Sequence, residues 1–408
     1  MRWIILFAIY LFVDIYGYQA VRTFSRNGWI ALAYFLISVA VVGNMIYQFN
    51  QPSPNGSWGG ARSYAIGIFL AFFITKIVLT VFMLGEDIVR LPLAGIQKLV
   101  GSSNEFSVPS RRKFIGQVAL GIAAIPFASI LYGMFKGKYD YRVLKYTLYF
   151  DDLPDAFDGY RLGQISDIHS GSFGDKEKVK YGVNLLKEEQ TDVVFFTGDL
   201  VNNEAAEMTG WEEVFSSITA PDGVYSILGN HDYGDYKDWP SEAAKRANLE
   251  KLKNIHKQMG WDLLLNENRV IEKEGQRLHV VGVENWGKGH FKKKGDLNKA
   301  GKGLKAEDFK ILLSHDPSHW HEKVQANEQN YQLTLSGHTH GMQFGIEIPG
   351  VVKWSPIEYR YKYWAGVYEV YGRFINVNRG FGYLAYPGRV GIWPELSVIE
   401  LKKGPKPA

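Results

Sequence analysis

The chain begins with long apolar runs and continues with short ones, and that change of rhythm divides it. Four apolar stretches fill the first third, at residues 3–20, 29–47, 64–84 and 114–135. The second lies in a window with no charge between Arg26 and Arg62, and the fourth is free of charge throughout. Each approaches or reaches the ~20 residues that a helix needs to cross a bilayer. Four such segments in succession leave little polar surface for a soluble fold. The pattern predicts a membrane domain over 1–135 containing four transmembrane helices. Beyond it the apolar runs shorten. Residues 160–165, 192–196, 224–228, 309–313, 331–335 and 396–401 read as strands, and 176–189 and 241–259 as helices. Two hairpins are expected, over 270–283 turning at Glu274-Gly275 and over 367–377 turning near Gly372. Strands that alternate first with helices and later with turns imply a mixed α/β sandwich over 154–402. Residues 136–153 read as a linker and 403–408 as a tail.

Charge sharpens this division. The chain has 408 residues and a net charge of +4, but residues 1–134 hold 10 basic and 4 acidic side chains. The remainder holds 36 basic and 38 acidic ones, so the larger domain is slightly acidic. The excess positive charge is therefore in the membrane part, which gives no support for nucleic-acid binding. A hydrophobic content of 46% excludes a disordered chain. With no cysteine, disulfides are impossible and the redox compartment stays open.

Two charges interrupt the apolar runs, Asp14 in the first and Lys76 in the third. An intramembrane charge is costly and faces a partner, the interface or an aqueous path. A mutual pair or a snorkelling lysine is the simplest account; transport or sensing needs more polar residues than these helices carry. Basic flanks set the topology. Arg22 and Arg26 follow the first helix, and Arg90, Lys98, Arg111, Arg112 and Lys113 follow the third, whereas the loop over 50–61 is rich in Pro, Gly and Ser. Loops one and three then face the cytoplasm and the large domain lies outside. Lys136, Lys138, Arg142 and Lys145 argue the other way. Ser110-Arg111-Arg112-Lys113-Phe114, preceding a moderately apolar helix, resembles a twin-arginine export signal and favours export. An ordinary positive-inside flank is the alternative. The expected location is a bacterial inner or cytoplasmic membrane, with an anchored, extracytoplasmic domain.

The candidate chemistry sits at the ends of the expected strands. Five segments carry it: Asp167-Ile168-His169, Gly198-Asp199, Gly229-Asn230-His231-Asp232, Ser314-His315-Asp316 and Gly337-His338-Thr339-His340-Gly341. In extended backbone, residues i and i+2 share a side, so Asp167 with His169, and His338 with His340, can each reach one ion. The neighbouring glycines permit close backbone approach. His256, His279 and His290 look incidental.

This order of motifs strongly resembles the calcineurin-like metallophosphoesterases over about residues 155–402, nearest to bacterial membrane-anchored members with a twin-arginine signal. Val377-Asn378-Arg379-Gly380 and Pro394-Glu395-Leu396 add to the likeness. The resemblance implies a four-layer α/β/β/α sandwich with a dinuclear site at one sheet edge. It implies that Asp167, His169, Asp199 and His340 hold one metal, and that Asp199 bridges to a second held by Asn230, His315 and His338. It gives His231 the catalytic role of proton donor or transition-state stabiliser. This oxygen and imidazole set suits two divalent ions such as Mn, Fe or Zn. One position departs from many relatives: Asn202 stands where they place an aspartate that orients the catalytic histidine. His231 is then a weaker proton donor, or Asp232 compensates.

The expected activity is hydrolysis of a phosphodiester, pyrophosphate or phosphomonoester. The anchor, the basic stretch 287–305 and the aromatic run Trp354, Tyr359, Tyr361, Tyr363 and Trp364 point to a lipid-linked or cell-envelope substrate, with the bilayer as partner. The competing reading is a non-enzymatic membrane sensor or scaffold with a structural metal site. Oligomeric state is open.

Overall fold

The structure is a computed structural model that describes residues 2–51, 60–100, 108–348 and 350–407. Most of the loop expected over 50–61 falls outside these residues. The chain divides into two compact units, one ending at Phe135 and the other beginning at Lys136.

The first unit contains α1 (Arg2–Phe24), α2 (Gly28–Asn50), α3 (Ala61–Val100) and α4 (Val108–Phe135). All four carry windows long and apolar enough to span a bilayer. The third helix runs well past the expected 84, because Gly85 to Arg90 continue the helix with their charges paired inside the bundle. Small residues on α1 and α4, Ala20, Ala119 and Ala123, pack against Leu79 and Met83 of α3. Close approach through small side chains is how helices associate without a hydrophobic drive from water. Ile4, Phe7, Trp29, Val39, Val81 and Ile125 point outward, as a lipid-facing surface requires. The two intramembrane charges form a mutual pair. Lys76 Nζ lies 2.5 Å from Asp14 Oδ1 and 2.7 Å from Ser38 Oγ, and Ser38 donates to the same carboxylate at 2.9 Å. One buried cluster thus ties α1, α2 and α3 together.

The second unit is built on two six-stranded sheets. The first runs in the order β1 (Arg142–Phe150), β14 (Glu395–Lys403), β2 (Arg161–Ile165), β3 (Val193–Phe196), β4 (Val224–Ser226) and β5 (Asp262–Leu263). The second runs β12 (Gly366–Val370), β13 (Arg373–Val377), β9 (Leu333–Ser336), β8 (Lys310–Leu313), β7 (Gln276–Gly282) and β6 (Glu267–Lys273). A two-stranded ribbon, β10 (Ile346–Ile348) with β11 (Val352–Trp354), lies apart from both. The expected linker is corrected here: its RVLKYTLYF segment is β1, paired in parallel with β14 from Arg142 to Phe150. Its half-alternating, β-branched and aromatic composition fits an edge strand.

Strand periodicity explains the layering. Along β3, Val193 and Phe195 face the core between the sheets, whereas Val194 and Phe196 face α5 (Lys176–Glu188), α6 (Glu212–Ser216) and α7 (Glu242–Gln258). Along β8, Ile311 and Leu313 meet the same inter-sheet core, and Leu312 faces Trp320 and Tyr331 on the far side. The result is the α/β/β/α sandwich. Both expected hairpins form, with Glu274, Gly275, Tyr371 and Gly372 at positive φ in the turns. Ser241 caps α7 by accepting from Ala244 N.

Candidate metal centre

Three parallel strands of the first sheet, β2, β3 and β4, end in Asp167/His169, Asp199 and Asn230/His231 respectively. Two parallel strands of the second, β8 and β9, end in His315 and His338/His340. Parallel pairing within each sheet brings these carboxyl ends to common edges, and backbone bonds hold the loops in register. Asp167 N donates to Gly198 O at 2.9 Å, His169 N to Asp199 O at 3.1 Å and Gly337 N to His315 O at 2.9 Å. Between the sheets, Gln164 donates to Ser336 O at 2.9 Å and accepts from Asn376 at 2.7 Å. The site edge is thereby bolted across the sandwich.

Two groups of potential ligands result. Asp167, His169 and His340 converge in one, and Asp199, His315 and His338 in the other. Asp199 lies between them, its Oδ2 3.1 Å from His315 Nε2 and 3.6 Å from His169 Nε2. Asn230 Oδ1 approaches His338 Nδ1 at 2.7 Å, which adds it to the second group. All seven expected metal-holding residues therefore meet in one place. His231 stands beside them, its ring 4.9 Å from that of His169.

The donor atoms fit divalent ions. His169 Nδ1 donates to Asn202 Oδ1 at 3.1 Å, and His315 Nδ1 donates to Thr197 O at 2.7 Å. Each bond fixes the proton on Nδ1 and turns the Nε2 lone pair inward. His315 Nε2 is fully buried and makes no hydrogen bond of good geometry. His169 Nε2 and His340 Nε2 face each other at 3.0 Å. Such a set of inward lone pairs is what an ion satisfies and what a packed core avoids. Backbone strain agrees: Asp167, His169, Asp199, His338 and His340 all have positive φ, between 49° and 72°. Non-glycine residues take that region rarely and cluster there at functional sites. The motif glycines make room. A Cβ on Gly337 would lie 2.1 Å from Asp167 Oδ2, and one on Gly229 would lie 2.1 Å from Asp199 Oδ1.

Electrostatics follow from burial and proximity. Burial disfavours charge on Asp199, but His315, His231 and His169 outweigh it and hold the carboxyl well below its usual range. Burial likewise opposes the charged form of His315, yet adjacent Asp199 wins and pushes its pKa up to about 10. Burial lowers the pKa of His169, His231 and His338. A divalent ion would take the place of the protons held at this centre.

The surroundings revise four readings of the sequence. The Asn202 side chain serves His169, and it is the Asn202 backbone carbonyl that accepts from His231 Nδ1 at 2.8 Å. Asp232 does not compensate for the missing carboxylate. It is buried and accepts backbone N–H groups of Asp199, Leu200, Val201 and Gly229, holding the two loops together. The basic stretch reaches the site through Phe291, whose ring is 4.9 Å from His338, while Lys288 pairs with Glu322 and Lys292 with Asp235. The aromatic run also divides. Tyr361 OH is 2.8 Å from His338 Nε2, Tyr363 and Trp364 are buried in packing, and Tyr359 is exposed.

Two neighbours of the site carried no sequence signal. Tyr236 stacks near His231 with ring centroids 4.4 Å apart and accepts from Asn230 Nδ2 at 2.9 Å. Arg389 is wholly buried and donates to the carbonyls of Arg379, Gly380 and Gly382, with Nη2 3.3 Å from His340 Nδ1. Arg389 sits in no Gly/His/Asp cluster, and Tyr236, although it follows the Gly229–Asp232 motif closely, is not a ligand-type residue. His256, taken as incidental, is a buried core residue bonded to Ser226 Oγ at 3.0 Å.

Comparison with known proteins agrees with this geometry. Residues 1–138 match the family model described as "Probable Calcineurin-like phosphoesterase, transmembrane domain", and residues 160–342 match "Calcineurin-like phosphoesterase". The chain is 26% identical over 300 residues to the Uncharacterized metallophosphoesterase YkuE of Bacillus subtilis, covering 72% of this chain and 98% of that one. It is 24% identical over 294 residues to Phosphodiesterase YaeI of Escherichia coli, covering 72% and 99%. A zebrafish Transmembrane protein with metallophosphoesterase domain is 28% identical over 286 residues, covering 67% of this chain and 60% of that longer one. The chain is thus a multi-pass membrane protein that joins an N-terminal transmembrane domain to a calcineurin-like metallophosphoesterase fold with two candidate metal-binding groups.

Proposed function

We propose that this protein is a membrane-anchored, dinuclear-metal hydrolase of a phosphodiester, pyrophosphate or phosphomonoester. The observation that carries the reading is the position of Asp199 between two buried ligand groups with His231 alongside. Asp167, His169 and His340 would hold one ion, and Asn230, His315 and His338 the other, with Asp199 available to both. Mn, Fe and Zn all suit this oxygen and imidazole set. When bound, the pair of ions supplies Lewis-acid charge against phosphoryl oxygens and lowers the pKa of water.

The chain's own residues do the rest. Asp199 keeps a fixed negative charge where both groups meet. His231, with Nδ1 donating to Asn202 O, presents Nε2 to the leaving-group oxygen and, in its imidazolium form, gives it the Nε2 proton and is left as the neutral ring. Tyr236 packs on the other side of His231 and limits its rotation. Phe291 and Tyr361 flank His338 and shape an aromatic wall for the organic part of the substrate.

The anchor supports a lipid-linked or cell-envelope phosphate as substrate, and the basic flanks of α1 and α3, with the Arg111-Arg112 pair, support an extracytoplasmic catalytic domain. A panel of detergent-solubilised envelope lipids beside aryl phosphomonoesters and diesters, read by phosphate release, tests the substrate class. Preference for soluble esters would contradict it. A reporter fused after Ala408 that works only outside the cytoplasm tests the side, and inactivity there contradicts it. Two observations weigh against the sensor or scaffold alternative: Asp14 and Lys76 satisfy each other, and His231 Nδ1 bonds the Asn202 carbonyl rather than its side chain.

A further inference from the structure

At one end of the membrane unit, the C-terminal end of α1, the late part of α3 and the first turns of α4 enclose a cavity of about 520 Å³. Arg22, Arg26, Arg90, Arg112 and Lys113 line it. Two of these cations are already neutralised. Arg112 Nη1 lies 2.9 Å from Glu86 Oε2 and also bonds Asp87, and Arg90 Nη2 lies 2.6 Å from Asp87 Oδ1. Among the described residues, no acidic side chain pairs with Arg22, Arg26 or Lys113. Counted over the described residues, the lining therefore carries three uncompensated positive charges. Arg90 Nε also faces Glu86 Oε2 at 3.5 Å, so Arg90 belongs to the neutralised part of the lining.

Its walls are not only basic. Gln19 offers an amide, and the exposed ring of Phe24 forms part of the lining. Phe114 and Ile88, on the two neighbouring helices, are exposed and apolar, as they would be against acyl chains. The same place thus offers cationic donors, a neutral amide and an apolar rim, at the end of three bilayer-length spans. That combination matches an amphiphile with an anionic head. Basic pockets between transmembrane helices recognise phospholipid headgroups in this way.

We propose that this cavity binds the phosphate-bearing headgroup of an anionic phospholipid, with Arg22, Arg26 and Lys113 as the recognising cations. Arg112, braced by Glu86 and Asp87, forms the floor. Arg112 then has a use in the folded bundle whatever the part of the Arg111-Arg112 pair in export. The inference stands independently of the phosphoesterase reading.

Native mass spectrometry of the detergent-solubilised full chain, titrated with phosphatidylglycerol and with phosphatidylcholine, tests it. Phosphatidylglycerol should be retained at least about tenfold more tightly. Arg22→Gln and Lys113→Gln should each weaken it about fivefold, the effect of ~1 kcal/mol per basic residue. Arg111→Gln, which removes the same charge from outside the lining, should leave it unchanged, and Arg22→Lys should retain most of it. Equal retention of both lipids overturns the proposal. So does an equal loss from Arg111→Gln, which would mean bulk attraction only. Displacement of the lipid by an equal concentration of inorganic phosphate or glycerol phosphate also overturns it, because the site would then serve a soluble anion.

Discussion

His231 Nδ1 donates to the backbone carbonyl of Asn202 across 2.8 Å, while the side chain of the same asparagine accepts from His169. One residue thus positions the proton donor through its main chain and a metal-facing imidazole through its side chain. A carboxylate at this position is not needed to orient His231.

Asn202→Ala should accordingly separate the two roles. The His231 bond survives, so kcat at saturating metal should stay within about threefold. The His169 bond is lost, and the metal concentration needed for half-maximal activity should rise by about tenfold or more. Titration of activity with Mn²⁺ measures both. A hundredfold drop in kcat with unchanged metal dependence would show that the side chain acts on His231.

Glu207 gives a pH signature away from the ligands. Burial pushes its carboxyl up to about 7 from an ordinary 4.5, although it accepts from the backbone N–H groups of Asn202, Asn203 and Glu204. The folded chain holds this proton more tightly than the unfolded chain does. Its contribution to stability is full below 4.5 and is lost as pH rises through 7. Glu207→Gln cannot titrate. Relative to the variant, the wild type should lose about 3 kcal/mol between about pH 4 and about pH 8. Thermal unfolding of both proteins across that range checks it, and parallel curves would contradict it.

The Asp14–Lys76 pair makes an asymmetric prediction. Lys76→Met leaves a buried carboxylate with only Ser38 as a side-chain donor, and should cost roughly 3–5 kcal/mol. Asp14→Asn with Lys76→Met removes both charges and should recover most of that loss. Unfolding in detergent distinguishes the cases. A double variant no more stable than Lys76→Met would mean that the pair's bonds, rather than its uncompensated charge, dominate.

Much of this was legible because physical constraints on single residues leave local marks. The α1 to α4 spans announce themselves by length without charge. The ligands stand at strand ends beside glycines such as Gly229 and Gly337, whose missing Cβ leaves room for carboxylates. What stayed hidden depends on three-dimensional pairing. The β1 segment looks like a linker until β14, some 250 residues later, supplies its partner. Arg389 carries no periodic or motif signal, because its role is to fill three carbonyls that only the folded loop over 379–382 presents. The role of Asn202 was misjudged for the same reason: its side-chain identity is visible in the sequence, and its carbonyl direction is not.

The central claim is that Asp199 joins two metal sites into one hydrolytic centre. It is tested most directly by turnover of a generic aryl phosphodiester by the purified full chain with added Mn²⁺. Wild-type protein should hydrolyse it, and a chelator should abolish the activity. His231→Ala should lower kcat by about 10²–10⁴ with metal content retained, and Asp199→Ala should lose both metal and activity. Undiminished turnover by the Asp199→Ala protein would contradict the account.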